Sequence, residues 1–148
     1  MKITRLILLA FSFLLLNTFD GTWIADLNCT SEDNSLEMNV QLRDIMVRVE
    51  KATIKLNGKE YNFGINDDGK LHEFEPKKGI LNFYINNCSN KNLCLELNSI
   101  PESFKIVETK IKNLSVYEFD AKLFGLEGLD NKEKRAYVKL NCKLEYQQ

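Results

Sequence analysis

Apolar and polar residues alternate with a period of two along much of this chain, the repeat of a strand with one face buried and the other in water. Trp23, Ala25, Leu27 and Cys29 share one parity, opposed by Asp26 and Asn28. Leu36, Met38, Val40 and Leu42 alternate without a fault with Glu37, Asn39, Gln41 and Arg43. Ile45, Val47 and Val49 continue in the other phase, and Ile54 and Leu56 switch back after Lys51. One extra residue exchanges the two faces of a strand, so each slip predicts a turn or a β-bulge. Ser35–Arg43 also admits a helix, with Ser35 as cap and Met38 and Leu42 four apart, but its unbroken alternation favours a strand.

Turn signals punctuate the pattern. Asn57-Gly58 separates Ala52–Leu56 from Tyr61–Ile65 and predicts a two-residue type I′ hairpin, in which both turn residues need positive φ. Asp68-Gly69 predicts a second turn of the same kind. Gly79 opens Ile80–Asn86, Ser89–Asn92 forms a polar tip, and Leu93, Leu95 and Leu97 return. Lys105–Ile111 and Val116–Gly125 follow Pro101, with Tyr117, Phe119, Ala121 and Leu123 on one face. After a turn at Gly128–Lys132, Ala136–Tyr146 is the cleanest amphipathic strand, with Val138, Leu140, Cys142, Leu144 and Tyr146 inward. About eight short strands predict an all-β chain, a single compact antiparallel β-sandwich or small β-barrel.

The N-terminus departs from this pattern. Lys2 and Arg5 precede Leu6–Leu16, apolar apart from Ser12, which is the arrangement of a secretory signal. The run is shorter than the roughly 20 apolar residues a membrane span needs. Residues 1–21 are therefore expected to be a signal peptide, although no Ala-x-Ala marks the cleavage site, and 22–148 a single all-β domain. The expected location is secreted or periplasmic.

Export gives the four cysteines their meaning, because thiols in an oxidising compartment pair. Cys29 and Cys142 share the inward parity of their strands, whereas Cys88 and Cys94 fall out of phase with the apolar residues around them. Two disulfides are predicted on that basis, Cys29–Cys142 in the core and Cys88–Cys94 clipping a hairpin tip. Chain entropy makes the long loop worth about 5 kcal/mol and the short one about 2 kcal/mol. Cys88-x5-Cys94 lacks the Cys-x-x-Cys spacing of a metal or redox site, and no histidine stands nearby.

Charge removes other classes. The chain carries 20 basic and 21 acidic residues; without residues 1–21 the balance becomes 18 to 20, interspersed and with no basic stripe. Nucleic-acid binding and attraction to an anionic membrane are not expected from such a surface, and no membrane span is expected in the mature chain. Pro76 and Pro101 are the only prolines, in keeping with extended structure.

No catalytic constellation, cofactor site or metal site is recognisable, so no enzyme is expected. His72 is the only histidine and lies in Leu71-His72-Glu73-Phe74 without a Gly-x-Ser-x-Gly nucleophile motif. Asn66-Asp67-Asp68-Gly69-Lys70 lacks the acid spacing of a calcium loop and fits a hairpin turn. Ser31-Glu32-Asp33-Asn34 and Asp130-Asn131 are solvated turns. Asn28-Cys29-Thr30, Asn87-Cys88-Ser89 and Asn113-Leu114-Ser115 match the glycan acceptor pattern, in a chain rich enough in asparagine to yield one or two by composition. Gly21-Thr22-Trp23 resembles the Gly-x-Trp that opens the first strand of lipocalins. The resemblance covers three residues, with none of that family's later motifs, and implies a barrel closed by Trp23; a sandwich's first strand would use the same tryptophan as core.

Two functions are compatible with these observations. One is a non-enzymatic binding or interaction module whose hairpin tips, the Cys88–Cys94 tip above all, meet an unknown protein partner. The alternative is a lipocalin-like carrier of a small apolar ligand, lined by Trp23, Tyr117, Phe119 and the inward Leu and Val residues.

Overall fold

The computed structural model describes residues 24–43, 48–64, 69–87, 93–125 and 137–147. Within them lie ten antiparallel strands: β1 (Ile24–Ser31), β2 (Leu36–Arg43), β3 (Arg48–Leu56), β4 (Lys59–Gly64), β5 (Gly69–Glu75), β6 (Ile80–Asn87), β7 (Leu93–Ser99), β8 (Lys105–Val107), β9 (Leu114–Phe124) and β10 (Tyr137–Gln147). They form one sheet in the order β4-β3-β2-β1-β10-β9-β7-β6-β5, with β8 beside β9. The all-β expectation therefore holds, with ten strands in place of about eight.

The alternation read from the sequence sets the two faces. In β2 the burial pattern alternates at every residue, with Leu36, Met38, Val40 and Leu42 inward. The slip after Val49 is a bulge: Gln41 faces Lys51 but Leu42 faces Val49, so Glu50 is the extra residue and both Val49 and Ala52 point inward. Asn57 and Gly58 take φ values of 49° and 80° and close the β3–β4 hairpin with Leu56 opposite Lys59, as the turn chemistry requires.

The structure sharpens three of the segments read from the sequence. Of the turn expected at Asp68-Gly69, Asp68 lies outside the described residues; Gly69 begins β5 opposite Ile85 of β6, and β4 and β5 lie at opposite ends of the sheet order. Leu71-His72-Glu73-Phe74 is part of strand β5. A bulge at His72 lets Leu71 and Phe74 face Phe83 and Leu81 three residues apart, which breaks the period-two signal. Lys105–Ile111 is a strand only over β8, because Asn113 adopts φ 64° in a turn where the Leu114 amide donates to the Ile111 carbonyl.

The sheet curls. An added Cβ on Gly69 of β5 would lie 2.8 Å from Cγ2 of Val49, so the backbone of β5 rests directly on a β3 side chain although six strands separate them along the sheet. Inside the curl, Ile54, Met38, Cys29, Cys142 and Phe119 stand opposite one another across β3, β2, β1, β10 and β9, all buried. Phe83, Leu81, Ile85, Leu95, Leu97 and Leu123 fill the other half. The aromatic members meet at one end, where Phe104 stacks on Phe119 at 4.9 Å and Phe74 meets Tyr117 edge-on at 5.5 Å.

Cys29 and Cys142 are directly opposed in the β1–β10 register and form a disulfide with Cα atoms 4.1 Å apart, closing 113 residues of sequence separation. One disulfide is thus present among the described residues where two were expected. Cys88 and the side chain of Cys94 lie outside the described residues, as do the signal segment, Trp23, the Ser89–Asn92 tip, Asn66–Asp68 and the turn at 128–132. Among the described residues no helix is long and apolar enough to cross a membrane, which says nothing about crossing by strands.

Two measurements test this framework. Replacing both Cys29 and Cys142 by Ala is expected to lower unfolding free energy by about 5 kcal/mol in urea titration; a loss below about 1 kcal/mol would contradict the role given to the bridge. Gly69→Ala is expected to cost about 1–3 kcal/mol, with Val49→Ala relieving part of it. A double-mutant cycle showing less than about 0.5 kcal/mol of coupling would remove the β3–β5 contact.

Candidate functional site

Because the inner face is filled by side chains, the polar parity of the central strands supplies the accessible chemistry. Register places these residues in rows across the sheet. Thr53, Asn39, Asn28, Lys143, Glu118 and Lys105 form one row from β3 to β8. Lys55, Glu37, Thr30, Asn141 and Asp120 form the next.

Two grooves are cut into this outer face. The first, about 380 Å³, lies over β1, β10 and β9 and is lined by Asn28, Thr30, Ser103, Lys105, Glu118, Asp120, Asn141 and Lys143. The second, about 350 Å³, lies over β1 to β4 and is lined by Asp26, Asn28, Asn39, Gln41, Lys51, Thr53, Lys55 and Glu60. Asn28 belongs to both.

The wall of the first groove has a local cause. β7 and β8 run along the same edge of β9, interrupted by the 3-10 turn Pro101–Ser103. Pro101 has no amide hydrogen to give the ladder, so pairing stops there. The Ser103 hydroxyl fills the gap, accepting from the Asp120 amide at 2.8 Å and donating to the Ile100 carbonyl at 2.6 Å. The Ile100 amide meanwhile donates to the Asp120 carbonyl at 2.7 Å. Ser103 of this turn and Lys105 of β8 both line the groove.

Some of the polar groups are already engaged. Lys139 holds Asp120 at 2.9 Å, and Lys143 holds Glu145 at 2.6 Å; each carboxylate raises its lysine's pKa by hydrogen bonding and charge. Thr53 donates to Asn62 at 3.0 Å, and Asn62 to Glu60 at 2.8 Å. Asn28, Thr30, Asn39, Gln41 and Asn141 make no side-chain hydrogen bond among the described residues, so their donors and acceptors face solvent.

The residues weighed from sequence fall elsewhere. His72 is exposed at the β5 bulge with its ring 5.9 Å from Tyr84. Asp33 is consumed by the β1–β2 turn. It accepts from the Ser31 hydroxyl at 2.6 Å, the Ser35 hydroxyl at 2.7 Å and the Ser35 amide at 3.0 Å. The Ser31 bond, followed by those from Ser35, holds its carboxyl down at about 2. Tyr117 is half-buried against the core, and Phe119 is buried. Of the acceptor-pattern asparagines, Asn113 is exposed in its turn and Asn28 lies in the grooves. Cys29 and Cys142 are joined and do not titrate. Among the described residues no group of three His, Cys, Asp or Glu side chains is placed to hold a metal.

The grooves went unread in the sequence. Their residues were visible only as the polar half of each strand, and which of them meet depends on register and strand order. Comparison with protein-family models, with curated proteins and with solved structures gives no match for this chain.

The Asp33 turn carries a pH dependence. A carboxyl depressed in the folded state stabilises fully above its unfolded value of about 3.8, and that contribution is lost as pH falls towards about 2. Thermal melts of wild type should therefore lose Tm between about pH 4 and pH 2, and Asp33→Asn should flatten that part of the profile. Parallel profiles for the two proteins would refute the assignment.

Proposed function

We propose that this chain is an exported, disulfide-stabilised β module that binds through its polar outer face and performs no bond-making chemistry. The observation that carries the reading is the pair of grooves meeting at Asn28, where Asn28, Thr30, Asn39, Gln41 and Asn141 keep their side-chain hydrogen-bonding capacity unspent among the described residues. The buried Cys29–Cys142 bridge is consistent with an extracellular or periplasmic location, because such bridges persist in oxidising surroundings. We also infer that the curled sheet is a flattened barrel rather than a sandwich. Its strand order runs up and down around the sheet, with one open seam between β4 and β5 across which Gly69 meets Val49.

A second reading follows from that seam. Up-and-down barrels carry small apolar ligands in their interiors, and an unpaired step between strands gives a route inside. The buried Phe83, Met38, Leu97 and Leu123 occupy the same interior, which favours the module over the carrier.

Expression of the full chain in an export-competent host separates these ideas. The expected product lies outside the cytoplasm, begins near Thr22 and contains the oxidised Cys29–Cys142 bridge; a cytoplasmic, reduced product would defeat the export claim. Native mass spectrometry of that product is expected to show the bare chain. A co-purifying apolar molecule of defined mass would transfer the function to the interior.

A further inference from the structure

We propose that the two outer grooves form one continuous trough for a neutral oligosaccharide lying across the strands, an inference that rests on the outer face being the binding surface. Continuity comes from Asn28, which lines both grooves at the centre of the sheet. Seven adjacent strands, from β4 through β1 to β8, contribute lining residues, so the trough spans about 30 Å at roughly 4.8 Å per strand.

Charge selects the ligand class. Four lysines and four carboxylates line the two grooves together, so the trough has no net charge. A phosphate-bearing polymer would meet as many carboxylates as cations, which disfavours it. Val40, Phe119 and Cys142 also line the grooves, but each is almost wholly buried and offers a lipid chain little further burial. What faces outward at the centre is Asn28, Thr30, Asn39 and Asn141, each able to donate and to accept. Those groups match sugar hydroxyls, which also do both.

Strand position separates a saccharide from a peptide. A peptide bound to a sheet satisfies its own backbone by adding to an exposed edge. The trough runs over β2, β1, β10 and β9, interior strands whose backbone groups are paired on both sides. A peptide lying there would leave its amides to side chains alone, whereas a glycan has no backbone ladder to satisfy. The long axis across the strands also suits a linear polymer of repeating units, since the polar row repeats once per strand.

The test is isothermal titration of the oxidised protein with cellohexaose, maltohexaose, mannohexaose and N-acetylated chitohexaose, with amide shifts recorded in parallel. At least one hexasaccharide is expected to bind, and its monosaccharide to bind at least about tenfold more weakly for want of the remaining contacts. Asn28→Ala and Asn141→Ala, both surface changes, should each weaken binding by about threefold to tenfold, while Lys77→Ala on the 3-10 turn at Pro76–Lys78 leaves it unchanged. Failure of all four hexasaccharides to bind overturns the proposal. If an oligopeptide or oleate instead shifts the amides of Asn28 and Asn141, the outer face remains the binding surface and the saccharide assignment falls. Hexasaccharide binding unaffected by either asparagine change would place the site elsewhere and overturn both.

Discussion

Pairing of β1 with β10 is the interaction on which the rest of this molecule depends. Without it the chain falls into two separate sheets, β4-β3-β2-β1 from its first half and β10-β9-β7-β6-β5 from its second. Every residue of β1 has a partner on β10, and the Cys29–Cys142 bridge lies within that ladder. The cost of closing so long a loop is largely removed from the folding equilibrium once the bridge exists. The same contact puts Met38 and Phe119 on either side of the bridge, so the two halves share one buried row. It also creates the outer face at the join, where Asn28 and Thr30 of β1 come beside Lys143 and Asn141 of β10.

The candidate site is therefore a by-product of closure and of one irregularity. Closure aligns the polar rows, and the interruption at Pro101 brings Ser103 into the lining of the first groove beside Lys105 of β8. The Ser103 hydroxyl makes the interruption affordable by satisfying the Asp120 amide, a group that would otherwise be left without its ladder partner. Local backbone chemistry and binding geometry are here the same feature.

Much of the fold was legible in the sequence because period-two alternation reports burial directly. Cys29 and Cys142 could be paired from parity alone, since a disulfide in the core needs two inward thiols. Legibility failed where one residue broke the period. His72 and Glu73 both lie between Leu71 and Phe74, so alternation does not mark β5 as a strand. Lys105–Ile111 reads as one extended segment, but only β8 forms a strand there, and Ile106 and Ile111 are both exposed. The grooves were out of reach for a different reason. Asn28, Asn39 and Asn141 are distant or unremarkable in sequence, and only register makes them neighbours.

Parity also constrains where function resides. In a curled sheet with a packed interior, each strand has one set of side chains committed to the core and one set free to evolve. Substitutions at Leu27, Met38 or Leu144 would disturb packing, whereas Asn28, Asn39 and Lys143, their immediate neighbours in sequence, face solvent without supporting the core. A binding surface placed on that outer set is mechanically supported by the β1–β10 ladder directly beneath it. Recognition elements held on paired interior strands lose little freedom when a ligand binds, in contrast to a loop that must be ordered first. The bridge that unites the sheet thus also holds the central side chains of the outer face in register, and stability and the proposed recognition surface draw on the same pair of strands.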